Sequence, residues 1–373
     1  MAKVYLIRHC ESEGNACRRT QAQVDALVTT KGYAQVEMLR RRFQGIPVDA
    51  VYTSDAFRSR ATAEPIAKDH NCPVRCRISL REVTTGVWED MAWGNIAKEY
   101  PEANAVWSRE PWNCITPGAS TFQQAADRLI HCVRQMAKEV GPDGTAVAVS
   151  HSCTLKSALC IMMGMPISRV GEVVHSDNTA VSLLDVDEDG KITIEYMNDA
   201  SHLPQELKRA WAGVAGDDLN MLVEAVELPK QEEQVVKLAK QAYGERFCED
   251  CFRKEIRQLV SRHPGYLAMC YLRGEAVGFV MMGKDENLPD DCRVVEKMYV
   301  IPELQGKGYC EQLFGYAAYV LRYSDIFRVA MHKNCTAEEQ LVMNRFGFAE
   351  MPEYPDYMNL ELACSPCPYP VLA

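Results

Sequence analysis

No stretch of the chain approaches the roughly 20 consecutive apolar residues that a membrane helix needs. The N-terminus lacks a basic region followed by an apolar signal core. There is no internal repeat and no low-complexity tract. Basic residues are not in excess: 41 Lys+Arg stand against 51 Asp+Glu, a formal net charge of −10. A nucleic-acid binder needs a basic face, so that class is excluded. Histidine is scarce, eight in 373 residues, and no His cluster accompanies the cysteines. These absences lead us to expect a soluble, cytoplasmic protein with neither a membrane nor a nucleic acid as partner.

A chain of 373 residues is long enough for two domains. Its hydrophobic fraction of 47% and charged fraction of 25% are those of an ordinary globular protein. Sixteen cysteines are scattered through apolar and mid-helix contexts, which favours reduced, buried thiols. Cys248-x-x-Cys251 and Cys364-x-x-Cys367 have the spacing of half zinc sites, but they lie far apart in sequence, so no metal site is expected. Charge divides unevenly. Residues 1–210 carry 24 Lys+Arg and 26 Asp+Glu, and the remainder carries 17 and 25.

Hydrophobic periodicity predicts alternating strands and helices in the first half. Strands are expected at 3–8, 50–53 and 145–150, and helices at 31–43, 59–68, 121–140 and 154–163. A hairpin at 180–196 follows, turning at Asp187-Glu188-Asp189-Gly190. The small-residue stretch at 210–217 reads as a linker. A second unit then starts, with strands at 221–228, 266–272, 276–283, 294–300, 327–332 and 357–362. Its helices are expected at 232–247, 251–262, 308–321 and 337–346. The domains are therefore 1–209 and 218–373.

Val4-Tyr-Leu-Ile-Arg8-His9-Cys10 is an apolar run that ends in two cationic side chains and breaks into a loop. A buried parallel strand delivers such residues to the carboxyl end of a sheet, where α/β ligand sites form. Further motifs follow in order: Asn15; Ser54-x-x-x-Arg58-x-x-x-Thr62-Ala; Leu80-x-Glu82-x-x-x-Gly86-x-Trp88-Glu89; Val149-Ser150-His151; and Asn198-x-x-x-His202-Leu203. Together they resemble the histidine phosphatase superfamily, the phosphoglycerate mutase-like enzymes, over about residues 1–205. The resemblance implies a three-layer α/β/α fold and a metal-free covalent route. In it His9 attacks phosphorus as a neutral imidazole. Arg8, Arg58, Asn15, Ser152 and a protonated His151 hold the phosphate oxygens. Glu82 protonates the leaving oxygen and then activates water. Glu89 is the competing carboxylate, and His175 and His202 are expected to be structural or peripheral. Cys10 and Ser152 stand where the family usually has glycine. Cys10, beside two cations, is either a reactive thiol or an inert one. The short segment between Ser54 and Glu82 favours hydrolysis over a mutase reaction.

In the second unit, Glu296 to Val300 leads through Pro302 into Gln305-Gly306-Lys307-Gly308-Tyr309-Cys310 and a helix. Free N–H groups at such a helix start can cradle a diphosphate. With Asn334-x-x-Ala337 and Gly347-Phe348 behind it, this resembles the GNAT acetyltransferases over about residues 218–362. The resemblance implies a mixed α/β fold, acetyl-CoA as cofactor and an amine acceptor. It places the pantetheine arm on strand backbone at Met298, Tyr299 and Val300, the diphosphate on 305–310, Asn334 at the cofactor, and Glu296 as candidate base. Cys310 crowds the loop. Met343 stands where many members have an acidic Tyr, for which Tyr354 or Tyr357 could substitute. The expectation is a bifunctional enzyme that hydrolyses a phosphomonoester and acetylates an amine-bearing small molecule. The alternatives are a phosphatase regulated by a non-catalytic CoA-binding domain and a mutase-type phosphotransferase.

Overall fold

The computed structural model describes residues 1–208 and 219–373. The expected linker at 210–217 lies outside the described residues. Two seven-stranded sheets organise the chain.

The first sheet takes β1 (Ala2–Arg8), β2 (Ala50–Thr53), β3 (Val74–Arg77), β4 (Thr145–Ser150), β5 (Val181–Val186) and β6 (Ile192–Asp199). Strands β3, β2, β4 and β1 run parallel in that order, and β5 and β6 add an antiparallel edge. Side chains alternate across a strand, and here both faces are covered. Val4 and Leu6 of β1 pack with Ala146, Ala148 and Leu129 on one side, and Tyr5 and Ile7 pack with Leu39, Phe43 and Ile66 on the other. The helices that cover the sheet are α2 (Thr30–Phe43) and α3 (Phe57–His70) on one face and α6 (Phe122–Val140) and α7 (Ser152–Met162) on the other. This is the expected three-layer architecture. A short α1 (Glu13–Ala16) follows β1, and α4 (Trp93–Glu99) and α5 (Pro101–Arg109) fill the segment after Glu89, which carried no expected helix.

The second sheet has the order β12-β13-β11-β10-β9-β8-β7, built from β7 (Leu222–Ala225), β8 (Leu267–Leu272), β9 (Glu275–Gly283), β10 (Cys292–Val300), β11 (Arg328–His332), β12 (Ala349–Glu350) and β13 (Tyr357–Glu361). Only β10 and β11 pair in parallel. Helices α8 (Glu232–Tyr243) and α9 (Glu249–Arg262) pack on one face, and α10 (Tyr309–Arg322) and α11 (Ala337–Phe346) on the other.

Two expectations are corrected. The tail leaves the second sheet, and β14 (Val371–Leu372) pairs in parallel with β3 at the edge of the first. On the way, Arg60 Nη2 donates to the carbonyl of Ser365, and Cys367 Sγ lies 3.4 Å from Cys76 Sγ. The end of the segment expected as 218–373 thus lies on the first sheet. The second correction concerns Cys248 and Cys251, which bond to each other across the start of α9 rather than standing as reduced thiols.

The two domains share one apolar cluster. Ala16 and Cys17 of the first domain sit in the same apolar cluster as Leu313, Phe314 and Phe346 of the second. Gly315 permits this approach, because a Cβ there would overlap Cys17. The loop after β1 is tied to the second domain by charge. Arg322 donates to both oxygens of Glu13 at 2.7 and 2.6 Å, and Arg345 Nη2 lies 2.7 Å from Glu11 Oε1. Glu13 is 2% exposed and Arg322 13%. Removing one partner of a buried pair leaves the other charge stranded, so Arg322→Met should cost about 3 kcal/mol in urea-induced unfolding. Adding Glu13→Gln should restore part of that loss. A double variant as unstable as the single one would show that the pair is not coupled.

Candidate active site

Strand β1 ends at Arg8 and delivers His9 to the carboxyl edge of the first sheet, beside the end of β4, which delivers His151. The two imidazole rings lie 5.1 Å apart between centroids. Both are buried, His9 at 5% exposure and His151 at 1%. Helix α3 supplies Arg58, fully buried, from the neighbouring strand's end. Sequence order therefore becomes spatial convergence: His9, Arg8, Arg58 and His151 meet at one edge, as expected.

Hydrogen bonds set the proton positions. His9 Nδ1 lies 2.6 Å from the carbonyl of Cys10. A carbonyl only accepts, so Nδ1 carries the hydrogen and the Nε2 lone pair is available. His9 is held well below the ordinary imidazole value of 6.5, by burial first and then by the charges of Arg58 and Arg8. A neutral imidazole with a free Nε2 is the form a nucleophile requires. His151 is neutral too. Arg58 Nη2 faces its Nδ1 at 3.3 Å, and a guanidinium only donates, so the ring proton sits on Nε2, which is 2.8 Å from Ser54 Oγ. Burial, then Arg58 and His9, depress its pKa. The expected protonated His151 is thus not the resting form; a phosphate dianion is the kind of group that could raise it.

Arg58 has two tasks. Its guanidinium donates to the carbonyls of Gln21, Ala22 and Val24. Its Nε is buried with no hydrogen-bond partner. A fully buried orphan N–H beside two imidazoles is a donor awaiting an anion. Arg8 Nη1 donates to the carbonyl of Ser176 at 2.5 Å and lies 3.1 Å from His175 Nε2. His175 is therefore a lining residue of the site, not a peripheral one. Its place on the loop before Ser176 leaves no mark in the local sequence pattern. Asn15 Oδ1 accepts from Ser12 and from Asn178 Nδ2, which orients the amide so that its own Nδ2 is the remaining donor. Asn178 also donates to the carbonyl of His9 and was missed by sequence reasoning.

The two carboxylates separate cleanly. Glu89 accepts from the N–H groups of Ala22, Gln23, Val24 and Thr85 and from the Thr85 hydroxyl. It staples the loop whose carbonyls Arg58 holds, so it is structural. Glu82 caps α7. Its Oε1 accepts from Val83 N, Thr154 N and Thr154 Oγ1, and its Oε2 accepts only from Cys153 N at 3.0 Å. Oε2 is the oxygen with room for a proton. Ser152 opens α7, but the donors of that turn that are used belong to Cys153 and Thr154. Cys10 is inert rather than reactive: its sulfur packs toward the carbonyl of Arg58 among Val28 and Val36, and burial pushes the thiol up to about 12. His202 is structural, held between Arg42 and Thr179, with its pKa lowered to about 4 by burial.

In the second domain β10 and β11 pair from Cys292 to Val295 and no further. The ladder of β10 with β9 shifts between Val295 and Lys297, so Glu296 sits at a bulge, a feature that re-aims a side chain. Its Oε2 lies 3.4 Å from His332 Nε2, and the His332 ring lies tilted against that of Tyr357, 4.4 Å between centroids. His332 had no sequence signal. Two backbone donors of the cradle expected for acetyl-CoA meet carboxylates of this chain. Gly306 N donates to the carboxylate of Glu338 at 3.0 Å, and Met298 N to Glu339 at 2.9 Å. Glu339 is buried and paired with Lys297 at 3.3 Å. Gln305 turns back to the carbonyl of Val300, and Lys307 to that of Glu303. Tyr309 and Cys310 are buried in the core, Tyr299 reaches Gln241, and Asn334 is exposed on the turn before α11. Glu338 and Glu339 thus sit on two of the backbone donors that the resemblance assigns to acetyl-CoA.

Comparison with known proteins finds two families in the chain. Residues 4–200 match the family model of the histidine phosphatase superfamily (branch 1), and residues 232–344 match that of the acetyltransferase (GNAT) family. Phosphoserine phosphatase 1 of Hydrogenobacter thermophilus is 26% identical over 203 residues, covering 54% of this chain and 95% of its own length. The probable phosphoglycerate mutase GpmB of Salmonella typhi is 28% identical over 211 residues, with the same coverage of 54% and 95%. Among solved structures, Bacillus stearothermophilus YhfR superposes with a TM-score of 0.52 at 25% identity, covering 54% of this chain and 99% of its own.

The depressed pKa values of His9 and His151 have a measurable sign. Each imidazole takes up a proton in the unfolded chain near pH 6.5 that the folded site refuses. Stability should therefore fall as pH drops below 6.5, and the ring 15N shifts of both residues should not titrate through that value. A midpoint at or above 6.5 for either ring would contradict the burial argument.

Proposed function

We propose that this chain, which belongs to the histidine phosphatase superfamily and carries a GNAT-family domain behind it, is a phosphomonoesterase working through phosphohistidine at His9. The observation that carries this reading is the neutral, Nδ1-tethered His9 with its Nε2 lone pair beside a fully buried Arg58. Nε2 attacks phosphorus and the P–O bond to the leaving group breaks. Arg58, Arg8 and the Asn15 amide receive the phosphoryl oxygens, whose charge the two guanidiniums balance. Glu82 Oε2 gives its proton to the leaving oxygen, then takes one from the water that cleaves the P–N bond. Hydrolysis is favoured over transfer, because nothing in the route requires the leaving group to be retained. The substrate is a phosphorylated small molecule.

His9→Ala should abolish phosphate release, and a chelator should leave the wild-type rate unchanged. Glu82→Gln should slow an alkyl phosphate by about a hundredfold or more and p-nitrophenyl phosphate far less, since nitrophenolate needs little protonation. Loss of activity on chelation, or equal losses on both substrates, would move the chemistry to other groups.

The second reading concerns the C-terminal domain, which we infer to be non-catalytic. The contacts of Glu338 and Glu339 favour this over acetyl transfer to an amine. No calorimetric binding of acetyl-CoA to the intact protein is expected. Glu338→Ala, which clears only the exposed loop donor, is expected to leave this unchanged while Glu339 stays on Met298. Tight binding by the wild type, or acetylation of any amine in a panel, would restore the transferase reading.

A further inference from the structure

The chain ends on the domain in which it began. Leu362 still belongs to the second domain, where its N–H donates to the carbonyl of Phe327. The segment after it crosses to the first. Arg60 of α3, 3% exposed, donates from Nη2 to the carbonyl of Ser365. The Tyr369 hydroxyl meets the carboxylate of Glu64 on the same helix. Val371 and Leu372 then pair in parallel with Cys76 and Arg77. Between these contacts, Cys367 Sγ comes to 3.4 Å from Cys76 Sγ.

The non-covalent hold on this tail is weak for its position. Strand β14 has only two residues, and both are exposed, Val371 at 41% and Leu372 at 44%. Pro366, Pro368 and Pro370 have no N–H to give to a ladder. A two-residue pairing at a chain terminus frays unless something ties it down. Yet β14 covers the outer side of β3, whose inner side pairs with β2. When β14 lifts, an edge with unpaired backbone groups is left behind.

The sulfur pair is placed to supply the missing tie. The two cysteines are 291 positions apart in sequence, so the fold itself brings them together. At 3.4 Å the sulfurs are in van der Waals contact, and only a small side-chain movement separates them from the roughly 2.05 Å of a disulfide bond. Their surroundings differ. Cys76 is fully buried in the sheet, and burial pushes its thiol up to about 12. Cys367 is half-buried on the tail and is the sulfur that an oxidant from solution reaches first.

We propose that Cys76 and Cys367 form a redox clasp, in which a hydroperoxide joins them in a reversible disulfide that ties the tail to the edge of the first sheet. The Cys367 sulfur attacks the peroxide, the O–O bond breaks, and Cys367 becomes a sulfenic acid while the peroxide leaves as an alcohol, or as water from hydrogen peroxide. The Cys76 sulfur then attacks the sulfenic sulfur. The S–S bond forms, the S–O bond breaks, and the hydroxyl leaves as water with the Cys76 proton. The two sulfurs together give up two electrons, and the two peroxide oxygens take them. A dithiol reverses the reaction by thiol–disulfide exchange. The clasp is independent of the phosphatase reading.

The test uses the folded, full-length protein, first reduced and then exposed to hydrogen peroxide. Catalase ends the exposure, the protein is unfolded in iodoacetamide, and its peptides are mapped by mass spectrometry without reduction. A peptide pair joined through Cys76 and Cys367 should appear, lighter by two hydrogens than the separate peptides, and dithiothreitol should abolish it. Amide hydrogen exchange of the C-terminal peptide, which holds Val371 and Leu372, should slow by about tenfold or more on oxidation. Cys367→Ala changes a half-buried tail residue and leaves the core of the first sheet intact. In that variant the cross-link should be absent and oxidation should leave the exchange unchanged. Recovery of Cys367 as an alkylated thiol, as a sulfinic acid or joined to another cysteine overturns the proposal. So does a Cys76–Cys367 bond that leaves exchange of the tail unchanged, or a slowing that persists in Cys367→Ala.

Discussion

The bidentate pair between Glu13 and Arg322, with Glu11 and Arg345 beside it, governs the relation of site to fold. Glu11 and Glu13 lie two and four residues beyond His9. Their carboxylates are buried, so each must have a partner or pay the full cost of desolvation. The arginine partners come from α10 and α11 of the second domain, and Thr29 also donates to Glu11. The loop that carries the nucleophile is therefore positioned by residues about 310 and 330 positions away in sequence. Both domains thus contact this loop, and the tail adds β14 to the first sheet.

Much of this was legible in the sequence. Apolar runs at 2–8 and 145–150 became adjacent parallel strands, because a strand buried on both faces has no other way to satisfy its side chains. The ordered motifs brought His9, Arg58 and His151 together for the same reason: each ends a strand or opens a helix at one sheet edge. Local pattern did not disclose long-range pairing. His175 and Asn178 join the site through a loop with no periodicity. Strand β3 is only four residues, and half of it is charged, so no alternation announced it. The helices after Glu89 are short and line a wall between domains, where no single amphipathic face is buried. Glu338 and Glu339 read as an ordinary acidic first turn of a helix, and only the splayed ends of β10 and β11 show that they also fill backbone donors of the neighbouring strand and loop.

The electrostatics of the two domains contrast. In the first, the buried Arg58 stands beside two neutral imidazoles, with Asp25 3.8 Å from its Nη1. In the second, acidic side chains already sit on the donors of a Gly-rich loop, and Lys297 is the charge that offsets one of them. That asymmetry is what separates the proposed roles of the two domains.

The central claim is that His9 Nε2 forms the bond to phosphorus while Nδ1 stays tethered to the carbonyl of Cys10. The most direct measurement is 31P–15N correlation on phosphoenzyme trapped by rapid mixing with a phosphomonoester, in protein labelled at the histidine ring nitrogens. The account requires one phosphorus resonance coupled to Nε2 of a single histidine, absent in His9→Ala. Coupling to Nδ1, coupling that persists in His9→Ala, or phosphate released with no phosphohistidine formed would contradict it.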